Sequence, residues 1–409
     1  MSDYKHGTYT TESPTSLVPP RRVDSAIPVV FGTAPGPADG DLPINKPVLC
    51  YSLDEFVAGF GMDADWEKYT LCEFATCFLS DYNMAPVVFV NVYDPATHKT
   101  GEEPDPGVVI GDDIIGGIDA VTGKKTGLEL IHEIFPKFRK VPGLIVAPGF
   151  SDEAAVAISM SSKASSINGL FKAQAVVDIP STETVYTEIA AYTETNNLTD
   201  EHMIVCWPKV KKGDKIYHMS SHLAALIARV DYESEGVPYR SPSNQRFEIT
   251  GLDNDGEELF LGLPEANNSL NAQGIVTAIN WDGGWKCWGN RTACYPSNTD
   301  VKDSFIPIRR FFNWHEATFI LTYFSKVDWP LTRRLLETIM DGENIRMNSF
   351  AAREIILGGK MALYEEMNPV TDLMDGLVRF KVMITPPSPV RAIIADYEYD
   401  PENLKNLFG

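Results

Sequence analysis

Short runs of consecutive apolar residues recur along the first half of the chain, and each is separated from the next by a stretch with helical spacing. The runs are AIPVVFGTAPG (26–36), APVVFVNVYD (85–94), GLIVAPG (143–149), AQAVVDIP (173–180) and HMIVCWP (202–208). A strand that is apolar on both faces is typical of a parallel sheet covered by helices on both sides. The pattern therefore predicts an α/β sheet for this part of the chain.

The stretches between the apolar runs predict helices. They cover 52–61, 65–81, 131–135, 152–170, 182–195 and 220–231. Residues 95–127 are rich in Gly, Pro and Asp instead, which indicates an inserted loop or small subdomain. Residues 1–25 are polar and contain three prolines, so we expect an extended arm rather than a packed element.

The pattern changes near residue 280. Three helical stretches are predicted at about 311–326, 331–340 and 349–367, and in the second Leu331, Leu335 and Ile339 repeat at helical spacing. LVRFKVMIT (377–385) then alternates between apolar and other side chains, as a half-buried strand does, and 390–400 is a second strand candidate. The sequence predicts a multi-domain protein, with an α/β domain (26–280) followed by an α+β domain (281–393) and a terminal segment (394–409).

Composition and charge narrow the class of protein. The chain has 409 residues and a formal net charge of -21. Residues 281–409 carry 17 acidic and 15 basic residues, whereas 1–280 carry 39 and 20. The negative electrostatic field of such a chain argues against binding nucleic acid. No apolar run is long enough for membrane insertion. The N-terminus has no signal core, so we expect a protein that stays in the cytoplasm or leaves without a cleaved signal.

Two motifs that suggest nucleotide or metal chemistry fail in detail. GGIDAVTGKKTG (116–127) has the wrong glycine spacing for a phosphate loop, and Lys125 stands where Ser or Thr would ligate magnesium. His218 and His222 are four residues apart, but Met219 replaces the glutamate of a zinc protease helix. We interpret them as a turn and as a structural histidine pair.

Candidate nucleophiles and acids are equally weak. Ser151 lacks the second glycine of a nucleophile elbow and is more simply a helix N-cap. The pairs Glu102–Glu103 and Asp112–Asp113 lie in a polar stretch where nothing would raise their pKa. We therefore expect no catalytic residues, no cofactor and no metal ligands, which favours a structural or assembly role.

GGWKCWGNRTACY (283–295) carries the most distinctive residue pattern. Its two cysteines, Cys287 and Cys294, have no second pair to complete a metal site, and its tryptophans suit a packed corner. Within it, WGNRTAC (288–294) resembles the W-G-x-R-T segment of contractile phage tail sheath proteins, a family that also forms the sheaths of R-type bacteriocins and related injection machines. The family usually has a small residue where Asn290 stands.

Other segments resemble the same family in the same order. IPIRRFFNW (306–314) is similar to the family's strand-to-helix entry, and 220–244 to its small-residue helix followed by a P-x-N turn. HGTYTTE (6–12) and VVFGTAPG (29–36) look like its arm and first strand. Residues 95–127 have no counterpart in the family, and DPENLKNLFG (400–409) is not aligned with it.

The resemblance implies a subunit that stacks in hexameric rings into a helical sleeve around an inner tube. Extended arms would add strands to sheets of neighbouring subunits, and the near-neutral C-terminal domain would lie innermost. The arm residues would be Gly7, Thr8, Tyr9, Thr10 and Thr11 at one end, and Ile393, Ile394, Ala395 and Tyr397 at the other. The structural signature would be Trp288, Gly289, Arg291 and Thr292, with Arg291 bonded to carbonyls or a carboxylate.

The partners implied are further copies of the chain, an inner tail tube protein, and baseplate and tail terminator proteins. The helix from Leu331 is expected to bury Leu331, Leu335 and Ile339, which leaves Arg333 and Arg334 on its open side. There they would either face an acidic strip on the tube or only form a solvated helix face. Assembly would take place in the bacterial host cytoplasm, and the product would be a virion tail or a released particle. Work would come from conformational free energy stored at assembly, because contraction repacks many subunit interfaces.

The alternative is a soluble α/β enzyme or ligand-binding protein whose site the sequence does not reveal. Light scattering separates the two hypotheses, because a sheath protein polymerises into long sleeves whereas an enzyme remains a small oligomer.

Overall fold

The structure is a computed structural model that describes residues 24–181 and 185–408. The predicted N-terminal arm strand, Gly7–Thr11, lies outside the described residues.

An eight-stranded mixed sheet forms the centre of the molecule. Its strands follow the order β14-β13-β8-β7-β6-β1-β3-β2, and the inner pairs from β13 to β3 are all parallel. Only the two outermost pairs, β2 with β3 and β13 with β14, are antiparallel. The strands are β1 (Pro28–Gly32), β2 (Val48–Cys50), β3 (Val87–Asn91), β6 (Leu144–Val146), β7 (Gln174–Asp178), β8 (Met203–Cys206), β13 (Ile275–Asn280) and β14 (Trp285–Trp288).

The five predicted parallel strands are confirmed, and their burial explains why the apolar runs are continuous. In β1 alternate side chains enter two different cores, with Val29 and Phe31 on one face of the sheet and Val30 on the other. All of these side chains are fully buried. A strand buried on both faces keeps no polar side, which is what the sequence pattern predicts.

Helices cover both faces of this sheet. One core receives side chains from α1, α2 and α7, and the other from α4, α5, α6, α10 and α11. None of the helices within 24–181 and 185–408 has the length and apolarity that crossing a membrane takes. The helices are α1 (Leu53–Phe60), α2 (Thr70–Ala75), α3 (Gly111–Ile115), α4 (Ile131–Phe138), α5 (Ala154–Ser165), α6 (Ile189–Thr195), α7 (Met219–Glu233), α8 (Leu263–Glu265), α9 (Val301–Ser304), α10 (Ile306–Tyr323), α11 (Arg333–Ala352) and α12 (Val370–Met374).

Three smaller sheets complete the fold. One has four strands in the order β10-β9-β11-β12, and two are hairpins, β4–β5 and β15–β16. The first hairpin, with α3, belongs to the segment 95–127. The strands are β4 (Lys99–Thr100), β5 (Glu103–Pro104), β9 (Lys209–Lys212), β10 (Lys215–Tyr217), β11 (Gly251–Asn254), β12 (Glu257–Leu259), β15 (Gly358–Leu363) and β16 (Phe380–Thr385).

The C-terminal part corrects two helix predictions. The helix expected at 331–340 begins at Arg333, is capped by the Thr332 side chain and continues to Ala352. Leu331 therefore precedes the helix and is exposed. The helix expected at 349–367 is wrong, because residues 358–363 form β15. The apolar residues Phe350, Leu357, Met361 and Tyr364 repeat at helical spacing in the sequence. Hydrogen bonds between β15 and β16 nevertheless determine the conformation of 358–363.

The β16 prediction is confirmed. Phe380 and Ile384 pack toward the core and Lys381 is exposed, as predicted. Val382, which was expected on the same side as Phe380, is exposed, so the alternation in burial is only partial. By contrast, residues 390–400 form no strand within the described structure. The expected domain boundary near residue 280 falls in the hairpin between β13 and β14, and the division into domains stays a prediction.

A buried ion pair ties the C-terminal helices to the sheet. Arg310 on α10 donates two hydrogen bonds to the carboxylate of Asp231 on α7, at 2.9 and 2.5 Å. Arg310 also donates to the carbonyl of Ser25, just before β1, at 3.2 Å. Both residues are about 3 % exposed, so they pair with protein groups rather than with water; Arg310 Nε alone has no hydrogen-bond partner within the described residues.

Candidate assembly interface

Exposed apolar side chains concentrate at the C-terminal end of the chain. More than half of the large apolar side chains exposed within 24–181 and 185–407 lie after residue 323. They include Phe324 and Trp329 between α10 and α11, Leu357 just before β15, and Met374 on α12. A concentration of exposed apolar side chains in one part of a chain is typical of a surface that another protein covers.

The segment 390–400 is the most exposed of these regions. It runs past the end of β16 without regular structure, and each of its residues is exposed. Ile393 and Ile394 are 90 % exposed and Tyr397 is 93 % exposed, so they make almost no contact within the subunit. β-branched and aromatic residues in an extended, unpaired stretch favour a strand whose hydrogen-bonding partner lies elsewhere.

The β15–β16 hairpin offers a matching acceptor. Its six residue pairs run from Gly358↔Thr385 to Leu363↔Phe380. Among the described residues each strand pairs only with the other. The Asn344 side chain bonds both backbone groups of Met361 on β15, so the open edge of the hairpin is the outer edge of β16. An open edge presents backbone N–H and C=O groups that an added strand can satisfy.

The signature residues lie at the far edge of the main sheet. Trp288 ends β14, and its indole is half-buried and donates from Nε1 to Asn267 Oδ1 at 2.7 Å. Gly289 has a φ of 137°, and a Cβ there would lie 2.9 Å from the Val276 Cα. Only glycine lets the chain leave β14 so close to β13.

Arg291 is held by a hydroxyl and two aromatic rings. Its guanidinium donates to Ser304 Oγ at 2.7 Å and lies 3.6 Å from the centroid of Phe305 and 4.3 Å from that of Tyr295. Burial is the main reason that the pKa of Arg291 is lowered, and the nearby Arg391 guanidinium adds to it. The expected bond to a carbonyl or carboxylate is replaced by the serine contact.

Thr292 completes the junction. It is buried, and its hydroxyl donates to the carbonyl of Asp303 at 2.7 Å. Trp288, Gly289, Arg291 and Thr292 therefore join β14 to the start of α10.

A groove of about 440 Å³ separates this junction from the root of the C-terminal segment. One wall carries Trp288, Gly289 and Arg291, and the other carries 389–392. Sequence reasoning missed the groove, because its walls come from segments that are more than 90 residues apart.

Arg333 and Arg334 lie in the first turn of α11 and are exposed. The side chain of Arg333 is 91 % exposed and pairs with Glu337 at 2.6 Å. The expectation that they stand on the open side of the helix is consistent with this geometry, although Leu331 does not contribute to the buried side.

Several residues weighed for chemistry form buried structural contacts. Ser151 does not cap α5; its hydroxyl donates to Asp178 Oδ2 at 3.1 Å, and Ser220 donates to the same oxygen at 2.5 Å. Burial raises the pKa of Asp178. The cluster joins the carboxyl ends of β6 and β7 to the start of α7, and Ser151 and Asp178 are at most 5 % exposed.

The two histidines also have separate partners. His218 Nδ1 lies 2.7 Å from Glu73 Oε2, and His222 Nδ1 lies 3.3 Å from the Tyr82 hydroxyl. Burial lowers the pKa of His222 to about 3, which keeps its ring neutral. These contacts fasten α7 to α2 and to the turn that follows it.

Comparison with known proteins supports the resemblance found in the sequence. No protein-family model matches the chain. A tail sheath protein of Burkholderia phage BcepMu is 25% identical, with 100% of this chain and 99% of that protein covered. A prophage major tail sheath protein of Pseudomonas aeruginosa is 27% identical over 83% of this chain and 82% of that protein.

Solved structures share the fold over nearly the whole chain. The anti-feeding prophage baseplate contains a chain with a TM-score of 0.68 and 14% identity, covering 97% of this chain and 99% of that one. The sheath of an extracellular contractile injection system in its contracted state gives 0.67 and 16%, covering 98% and 99%. The chain is thus a homologue of phage tail sheath proteins and has the fold of contractile injection system sheaths.

Proposed function

We propose that this chain is the structural subunit of a contractile tail sheath, which polymerises helically around an inner tube and contracts to drive that tube through a cell envelope. The observation that carries the proposal is the exposed segment 390–400, which is built for strand pairing but has no partner within the subunit. A homologue of tail sheath proteins with such a segment functions by joining copies of itself rather than by catalysis.

The C-terminal segment adds a strand to the β15–β16 hairpin of a neighbouring subunit. Each added residue pair replaces backbone–water hydrogen bonds with backbone–backbone bonds and covers apolar side chains such as Val382 and Met383. The N-terminal arm residues Gly7–Thr11 supply a second strand to a sheet of a neighbouring subunit. Subunits linked in this way stay connected while their other surfaces move.

Contraction draws on free energy stored at assembly. The extended sheath is metastable, and its subunits repack against each other while the arm strands hold the lattice together. A small gain per subunit, multiplied along the sheath, performs the work. Baseplate and tail terminator proteins contact the two ends of the sheath. Assembly takes place in the host cytoplasm.

The purified chain tests this function directly. We expect it to scatter light as long polymers and to show hollow or tube-filled sleeves in negative-stain micrographs. A protein that remains a monomer or small oligomer at all concentrations, with or without tube protein, would contradict the proposal and favour the alternative of an enzyme or ligand-binding protein.

The inner tube contacts Arg333 and Arg334. These side chains carry positive charge on the exposed first turn of α11, in the part of the chain that the resemblance places innermost. Exposed charge pairs are individually weak, so many of them grip the tube and still release it on contraction.

Replacing both Arg333 and Arg334 with Glu should therefore leave the subunit folded but yield few sleeves around tube, as counted in micrographs of sheath assembled with tube protein. Glu337→Gln is the matched control, because it frees Arg333 from its own ion pair and should leave tube-filled sleeves at normal yield. Normal yields from the double variant would place the tube contact elsewhere.

A further inference from the structure

The groove between the Trp288–Arg291 junction and 389–392 has the chemistry of a binding site for an acidic, extended peptide. Its walls carry two guanidinium groups, those of Arg291 and Arg391. No carboxylate among residues 24–181 and 185–408 forms an ion pair with either of them. The two cations face the same space and repel each other, so an anion between them would be stabilised from both sides.

Amide side chains line the rest of the groove. Five asparagines contribute to it: Asn244, Asn267, Asn268, Asn271 and Asn290. Asn267 is engaged with the Trp288 indole. The side-chain amides of Asn244, Asn268 and Asn290 make no hydrogen bond within the described part of the chain. A primary amide offers a donor and an acceptor, which matches the N–H and C=O of an extended backbone.

The chain itself contains a segment of this chemistry. In 396–400, DYEYD, acidic and aromatic residues alternate, and all five are exposed. An extended backbone with that alternation places Asp396, Glu398 and Asp400 on one face and the two tyrosines on the other. Carboxylates at alternate positions are about 7 Å apart, a spacing that lets adjacent ones reach separate guanidinium groups.

This segment cannot easily fold back into its own groove. The groove wall ends at Ala392, and only Ile393, Ile394 and Ala395 separate it from Asp396. A reversal within these residues would need a tight turn, which Gly, Asn, Asp or Pro usually provide and β-branched residues disfavour. The two isoleucines are also 90 % exposed, so the chain leads away from the groove.

We propose that this groove binds the acidic segment 396–400 of a second copy of the chain. The inference rests on the proposed function, since it needs subunits to meet. Residues 390–395 add the strand at β15–β16, and 396–400, which follow them, enter the groove. Arg291 is preoriented by Ser304 and by the aromatic rings beneath it, so it loses little freedom on binding. Arg391, on the opposite wall, is exposed and supplies the second positive charge.

Charge reversal tests the pairing. Arg391→Glu and Glu398→Lys should each lower the yield of sedimentable sleeves about fivefold at low salt, with a smaller effect at high salt. A chain that carries both substitutions should restore the yield, because every groove then meets an arm of opposite charge. Lys99→Glu is the control: it makes the same charge change as Arg391→Glu on the exposed β4–β5 hairpin and should assemble normally.

Crosslinking tests which copy supplies the segment. All six natural cysteines are buried, so a variant with Asn268→Cys and Glu398→Cys has only two reactive thiols. Oxidised sleeves of this variant should give a ladder of covalent multimers on a non-reducing gel, whereas either single variant should not. An internally crosslinked monomer, or no crosslink in well-formed sleeves, overturns the inference.

The outcomes also separate this inference from the proposed function. Sleeves that form normally from Arg391→Glu alone and from Glu398→Lys alone overturn the groove contact and leave the sheath function intact. Absence of sleeves from the unmodified chain overturns the sheath function itself.

Discussion

Removing residues 393–409 should leave a fully folded subunit that no longer forms sleeves. The described part of this segment is exposed throughout, and Tyr397 is 93 % exposed, so its loss removes almost no buried surface. We expect the free energy of unfolding to change by less than about 0.5 kcal/mol. Assembly should fail, because both the added strand and the acidic segment are gone. Sedimentation and negative-stain microscopy measure the assembly, and circular dichroism with chemical denaturation measures the fold.

A shorter deletion is the control for that result. Removing only 401–409 takes away the terminal turn Pro401–Phe408 and keeps 390–400. Sleeves should persist in this variant if strand addition by 390–400 holds the lattice. Normal sleeves from the longer deletion would show that other surfaces suffice for polymerisation.

Asp231→Ala should destabilise the subunit by about 3–5 kcal/mol, because it leaves the buried Arg310 without its counter-ion. Arg310 is about 3 % exposed and donates two hydrogen bonds to Asp231, so water cannot readily replace the carboxylate. The change should appear as a lower denaturation midpoint and should loosen α10 from α7. Thermal and denaturant unfolding of the isolated subunit measure it.

Glu337→Ala is the comparison for that variant, since it also breaks an Arg–carboxylate pair, but one whose arginine is 91 % exposed. Its midpoint should not change measurably, because water solvates the released arginine. Equal effects from the two substitutions would mean that the Arg310–Asp231 pair does not hold the two parts of the chain together.

The contrast between the buried and exposed pairs explains why sequence reasoning missed Arg310. In the sequence, Arg309 and Arg310 form a dibasic step within IPIRRFFNW, which suggests a solvated helix face. Both are nevertheless at most 4 % exposed, and their partners Asp303 and Asp231 come from different parts of the chain. Spacing along one segment cannot reveal a partner 79 residues away.

The sequence by itself determined the parallel core and the resemblance to tail sheath proteins. Continuous apolar runs identify strands buried on both faces, since the side chains of β1 pack into an apolar core on each side of the sheet. The order of the resembling segments also identified the sheath homologues. Both signals are local or linear, so no knowledge of contacts is needed to see them.

Only the tertiary structure decided the C-terminal architecture. The apolar residues at Phe350, Leu357 and Met361 are compatible with one helix, but pairing of β15 with β16 places Met361 in a strand, where it is 1 % exposed. The groove likewise exists because β14, the segment 267–272 and the chain after β16 meet in space. Which backbone pairs with which, and which charges are left without a partner, are properties of long-range contacts that no single segment of the sequence contains.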